Sequence, residues 1–168
     1  MRRRTLVVSL VLMTGCALTL TSCAGADQEG SAAHRMSVWV SGTSLGEDIG
    51  TLVADNARVP KDAANGTGAV HAGCGTLLND AEMANSSLPS PDPDVTDLLT
   101  KAYGLEGTAA NQCYDAGATN TKLLAQSEHN TIKAEALYQQ VLQRIRQIDG
   151  RTVSTTTTTD NSSGSIFG

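Results

Sequence analysis

Apolar residues recur at intervals of three and four along most of this chain, and no run alternates apolar with polar positions. That period is the helical one, so the pattern predicts an all-α fold. Over about Ser44–Ala57 the stripe is Leu45, Ile49, Leu52 and Val53. Ser44 and Glu47 stand at capping-box spacing at its start. Gly42, Gly46, Gly50 and Ala54 form a smooth strip beside it. Each glycine costs a helix about 1 kcal/mol relative to alanine, so the repeat suggests close approach by a neighbouring backbone. Pro60 marks the expected break. A second helix is expected over about Ala63–Ser86, with Val70, Cys74, Leu77, Ala81 and Ala84 on one face. The segment Leu88-Pro89-Ser90-Pro91-Asp92-Pro93 follows as a turn, because its prolines cannot continue a helix. Pro93 suits the first position of the next helix.

The third helix places Val95, Leu98, Leu99, Ala102, Tyr103, Ala109, Ala110 and Cys113 on its stripe and ends near Gly117, with Gly104 and Gly107 as places to kink. The fourth, about Ala118–Asp149, has the strongest pattern: Leu124, Ala134, Tyr138, Val141, Ile145 and Ile148. Ser127 and Thr131 hold polar places in that seam, Leu137 and Leu142 widen it, and Gly150 stops it. At 1.5 Å per residue it is about 48 Å long, so its last turns are expected to project. Four amphipathic helices with short connections predict an up-down-up-down four-helix bundle over residues 44–150. Val38-Trp39-Val40 is the one strand-like stretch and is expected as an extended lead-in.

Both flanks lack that pattern. Residues 24–36 are small and polar at first, the composition of a solvated tether, with a reach of roughly 20 Å for about 14 residues. Residues 151–168 hold Thr155 to Thr159 unbroken and then a Ser/Gly run, with no apolar face to bury. A disordered tail is expected, with an O-glycosylated stalk as the alternative. The domain division is therefore 1–22, 23–43, 44–150 and 151–168.

The first segment has its own chemistry. Arg2, Arg3 and Arg4 precede an uncharged apolar run from Thr5 to Leu20, shorter than the roughly 20 apolar residues that span a bilayer. That makes a removable export signal. It ends in Leu20-Thr21-Ser22-Cys23, which resembles the lipobox of bacterial lipoproteins: an aliphatic residue, two small residues, and the cysteine that is lipidated and becomes the new N-terminus. The resemblance implies a diacylglycerol thioether on Cys23 and a place on the outer face of the cell membrane. Met13-Thr14-Gly15-Cys16 is a rival box with a poorer first residue, and an unlipidated secreted protein is the plainer alternative. Arg3-Arg4-Thr5-Leu6-Val7 loosely resembles a twin-arginine signal, so the export route stays open.

Processing changes the charge. The precursor carries −5; loss of residues 1–22 removes three arginines and no acid and leaves −8. An acidic surface with few aromatic residues disfavours nucleic acid as a partner. With Cys23 lipidated, Cys74 and Cys113 remain as an even pair outside the cytoplasm, which predicts a disulfide between them. Closing that loop of about 40 residues stabilises the fold by roughly 4 kcal/mol in the chain-entropy account.

The stretch from Leu88 through Ala116, LPSPDPDVTDLLTKAYGLEGTAANQCYDA, resembles a motif in exported helical proteins of actinobacteria that have no assigned activity. The resemblance covers about two thirds of the chain. It implies the helical fold and the disulfide and supplies no function.

Catalytic patterns are scarce. The histidines are His34, His71 and His129, and no nucleophile motif, phosphate-binding loop or Glu-x-x-His pair accompanies them. Asp92, Asp94 and Asp97 sit where the positive end of the next helix favours acids; a calcium loop would need a glycine and a closing glutamate that are missing. His71, three residues before Cys74, could join Cys74 and Cys113 as a zinc or copper(I) ligand set if the thiols stayed reduced. Tyr103, Tyr114 and Tyr138 read as core or rim residues. The expectation is a membrane-anchored, non-catalytic interaction or structural module of the cell envelope, without cofactor, meeting an envelope protein or the cell wall. A small-ligand or metal-binding bundle and an enzyme of unknown class are the alternatives.

Overall fold

A serine, an apolar residue and then a stripe at helical spacing are enough to start a helix earlier than the sequence pattern suggested. In a computed structural model, which describes residues 30–155, α1 spans Ala32–Gly42. Ser31 caps it, its hydroxyl accepting from the His34 amide at 3.2 Å. Met36, Trp39 and Val40 face inward, with Met36 fully buried, whereas Val38 points to solvent. Trp39 donates its indole N–H to the Ser87 carbonyl at 3.3 Å. The extended lead-in is thus a helix, and it takes in the end of the expected tether. The β-like look of Val38-Trp39-Val40 gives way because spacing of three and four from Met36 buries one apolar face, and tertiary burial outweighs local propensity.

Helix α2 is Leu45–Ala63, α3 is Thr67–Asn85, α4 is Pro93–Ala116 and α5 is Thr121–Asp149; with α1 they make the described residues all-helical, without strands. Pro60 lies inside α2 and does not end it. Its missing N–H and its ring cost the helix one bond near its end, where Val59 and Ala63 still have apolar neighbours to pack against. The Ser44–Glu47 capping box does not form. Thr43 and Ser44 alone turn the chain from α1 into α2, which places Ser44 in the left-handed region at φ 51° and takes its hydroxyl away from the cap. Its carbonyl accepts from the Glu47 amide instead, at 2.8 Å. Asp92 does cap α4, accepting from the Val95 amide at 3.0 Å, and Pro93 stands at the first position as expected. Arg144 of α5 clamps the same carboxylate at 2.8 Å and reaches Asp94 at 3.2 Å. The Arg144 guanidinium, helped by the Val95 amide, holds the Asp92 carboxyl below its ordinary range.

Consecutive helices pack on each other, α4 on α5 most extensively, α3 on α4 and α2 on α3 less so. Cross-contacts give their directions: Asp92 meets Arg144 while Ala109 meets Ser127, so α4 and α5 are antiparallel. Cys74 of α3 is bonded to Cys113 of α4, with Cα atoms 5.9 Å apart; Thr67, at the start of α3, accepts from the Ala118 amide just past the end of α4, while Leu78 lies nearest Gly107, so that pair is antiparallel too. The glycine strip has a partial role. Gly46 is buried against the Ser154 carbonyl, where a side chain has no room, but Gly42 has nothing near it. The approaching backbone is therefore the chain's own C-terminal segment, and Val153 packs on the core as part of it.

Two measurements test this frame. Converting Cys74 and Cys113 together to serine should cost about 4 kcal/mol and lower the melting midpoint by roughly 10–20 °C; an unchanged midpoint would remove the disulfide from the stabilising interactions. Met36→Ala should cost about 2–5 kcal/mol as a large-to-small core change, whereas a solvated tether would give none.

Candidate functional site

Polar side chains interrupt the apolar stripes over the middle turns of the bundle. On α4 the stripe runs Leu99, Ala102, Tyr103, then Glu106, then Ala109, Ala110 and Cys113, and Glu106 is 0% exposed. Asn56, four residues beyond Leu52 on α2, donates its Nδ2 to Glu106 Oε1 at 3.1 Å. From α5 the buried Tyr138 faces Glu106 without closing a well-aligned hydrogen bond, and its ring tilts against Tyr103 with centroids 6.0 Å apart. Two and three turns earlier on α5, Thr131 and Ser127 are buried as well; their hydroxyls donate to the carbonyls of Glu128 and Ala109, each at 2.8 Å. Apolar residues fall into two clusters, a large one that includes Met36, Leu52, Leu99 and Tyr138, and a small one of Val70, Cys74 and Cys113.

The layer is desolvated and acidic. Burial pushes the Glu106 carboxyl from its ordinary 4.5 up to about 7; Asn56 and Tyr138 counter this, and the nearby acids Glu135 and Asp55 add to it. Burial also raises Asp55 to about 6, reinforced by Asp80 of α3 and opposed by Arg58, 3.1 Å away. Asp48 is raised for the same reason, with Glu47 and Asp80 adding their charge. The hydroxyls of Tyr103 and Tyr138 are pushed above the ordinary range by burial, so both stay neutral. Glu106 Oε2, Asn56 Oδ1 and Asp55 Oδ2 are buried with no hydrogen-bond partner in the protein. Buried groups in that condition are uncommon and mark places where function is sought.

Beside this layer α2 and α5 have few contacts with each other, and a cleft of about 320 Å³ opens between them. Val59, Pro60 and Ala63 form its α2 wall and Leu124 and Ala125 its α5 wall. Asn56, Ser127 and Thr131 line it as well, so Asn56 belongs both to the cleft and to the hydrogen bond with Glu106. Val59 and Ala63 also pack on the disulfide cluster, which stiffens that wall from behind. Pro60 has no N–H to give, which leaves the Asn56 carbonyl without its usual helical donor.

The residues singled out from the sequence lie elsewhere. Cys74 and Cys113 are bonded to each other, so their sulfurs are not free thiolates, and His71 stacks on Tyr114 with ring centroids 4.1 Å apart. Among the described residues no group of three or more His, Cys, Asp or Glu has the arrangement to hold a metal ion. Asp92 and Asp94 are taken up by the helix cap and Arg144. His34 is exposed in the first turn of α1, and His129 is exposed on α5. Cys23 and the lipobox lie outside the described residues.

No family model, curated protein or solved structure matches the chain.

The site residues missed from the sequence, Asn56 and Glu106, did leave a signal. Both occupy positions that the three-and-four spacing reserves for apolar residues, as Ser127 and Thr131 do. Of these, only Ser127 and Thr131 read from the sequence as polar places in a seam.

Glu106 gives a pH test. Folding raises its pKa, so the unfolded chain ionises first as pH climbs. Its contribution to stability is whole below about 4.5 and is lost as pH rises through about 7. Glu106→Gln should therefore gain on the native protein by on the order of 3 kcal/mol between pH 4.5 and 8 in urea unfolding. A gap that stays constant with pH would mean that the carboxyl does not titrate in this range.

Proposed function

We propose that this protein is a lipid-anchored, non-catalytic binding module on the outer face of a bacterial membrane, and that the seam between α2 and α5 is its working face. The carrying observation is the cleft itself: an apolar-walled opening also lined by Asn56, Ser127 and Thr131, with Asn56 hydrogen-bonded to the buried Glu106. Ligand sites are concave and mostly apolar with a few polar groups that set orientation. The four longer helices are read as an up-down-up-down bundle, with α1 as an added helix closing one end of the α2–α5 seam.

The anchor rests on Leu20-Thr21-Ser22-Cys23 and the apolar run before it. A diacylglycerol brings two acyl chains, and two chains hold a protein stably where one gives only marginal binding. No described helix is long and apolar enough to cross a membrane. Attachment at the chain's start would leave the cleft, formed by later segments, free to meet a soluble or envelope ligand. A scaffold role without a binding face is the weaker reading, since it gives the cleft nothing to do.

Complementation of a deletion strain tests both halves. Cys23→Ala should leave the protein unprocessed or released from membranes, with no lipid in its intact mass. Ala125→Leu, which fills the cleft from an exposed position, should remain folded and anchored yet fail to complement. His71→Ala and His129→Ala should complement fully. Membrane retention of Cys23→Ala at native mass would remove the anchor, and full complementation by Ala125→Leu would remove the seam.

A further inference from the structure

We propose that Asp55 of α2 and Asp80 of α3 form a pH-sensitive latch. In mild acid one proton shared between the two carboxyls holds the helices together. Its loss sets two like charges against each other across the seam. The latch depends neither on the anchor nor on a ligand in the cleft.

The geometry begins with a spacing on α2. Asp48, Asp55 and Asp62 follow one another at seven-residue intervals, two helical turns each, and so share one face. That face meets α3. The Asp62 carboxylate fills the space that Gly73 leaves without a side chain, and Asp55 meets Asp80. From the first pair to the second the chain steps back seven residues on α2 and forward seven on α3, the register of antiparallel neighbours. Asp55 is only 7% exposed. Its Oδ1 pairs with Arg58 at 3.1 Å, while its Oδ2 is buried and accepts from no group of the protein. The Asp80 side chain stands within hydrogen-bonding reach, yet an ionised carboxylate is itself only an acceptor. Two such groups face to face have no hydrogen between them. A proton on either supplies the missing donor and satisfies an oxygen that is otherwise costly to bury.

The surrounding charges favour the proton. On α2, Asp62 acts on Asp55 directly, and Asp48, with Glu47 beside it, feels the same Asp80. From α4 the buried Glu106 feels the Asp55 charge, and Glu135 of α5 stands near Glu106 in turn. The counter-charge is Arg58, which divides itself between Asp55 and Asp62 and is nearly half exposed to screening water. Burial, then the hydrogen bond with Asp80, lifts the Asp55 carboxyl to about 6 against the pull of Arg58. Folding thus raises its affinity for a proton. The latch's contribution to stability is whole below the ordinary value of 3.8 and is lost as pH rises through about 6.

The test uses the full-length protein with carbon-13 in its aspartate carboxyls, in a Glu106→Gln background that removes the buried glutamate's own titration. The Asp55 carboxyl should titrate near 6, and Asp80→Asn should lower its midpoint by about one pH unit or more. Hydrogen exchange of the α2 amides around Asp55 and the α3 amides around Asp80, corrected for the intrinsic effect of pH, reads the opening of the seam. Opening should be about tenfold or more favoured at pH 8 over pH 5. Asp55→Asn and Asp80→Asn should each remove most of that difference, whereas Asp97→Asn, at an exposed acid of α4, should keep it. An Asp55 carboxyl that titrates in the ordinary aspartate range, or whose midpoint ignores Asp80→Asn, overturns the latch. So does opening that is equal at the two pH values or equally pH-dependent in the amide variants. Failure of either variant to fold counts against it too, because the amide supplies the donor that the proton supplied.

Discussion

A carboxyl group without exposed surface has to be neutral, paired or supplied with hydrogen bonds, because an isolated buried charge is too costly. Glu106 imposes that demand at the centre of this bundle. Asn56 answers with one hydrogen bond and so ties α2 to α4 across the interior. Tyr138 faces the same group from α5, while Ser127 and Thr131 turn their hydroxyls to backbone carbonyls. Hydrocarbon cannot fill this level as it fills the rest. The apolar interior falls into two clusters, and α2 and α5 are not drawn together beside the polar residues as their apolar stripes would draw them.

Each end of the bundle has its own fastening. At one, Met36, Trp39 and Val40 of α1 and Val153 of the C-terminal segment complete the larger cluster. Ser154 fits against Gly46 because no side chain is there. At the other, the Cys74–Cys113 bond joins α3 to α4 beneath Val59 and Ala63. A wall stiffened from behind keeps a cleft open more cheaply than a flexible one does, since less ordering is left for binding to supply. The stability cost of the polar layer is thus borne between two well-fastened ends.

These features make the proposed function physically economical. In the proposal, an anchor at the start of the chain would hold the domain at a surface, where high local concentration makes modest affinity sufficient. In the proposed role, the few polar groups lining the apolar-walled cleft would set a ligand's orientation. Behind Asn56, burial raises the Glu106 carboxyl toward neutrality.

The helical period along the chain determined the all-α class, three of the five helices to within about four residues, the start of α2, the Asp92–Pro93 start of α4 and the Gly150 stop of α5. The even cysteine pair determined the disulfide. These were legible because each depends on local spacing or local chemistry. Tertiary structure decided what depends on distant partners. Helix α1 exists because Met36, Trp39 and Val40 find a core to enter, although eleven residues with weak local propensity do not make a helix alone. Pro60 stays within α2, and Ser44 caps with its carbonyl, because the neighbouring helix and turn fix the backbone there. Glu106 and Asn56 stood in apolar positions of the sequence, but only the folding together of α2, α4 and α5 made them a pair beside a cleft. A residue's place in a stripe is written locally; which residue faces it across the core is not.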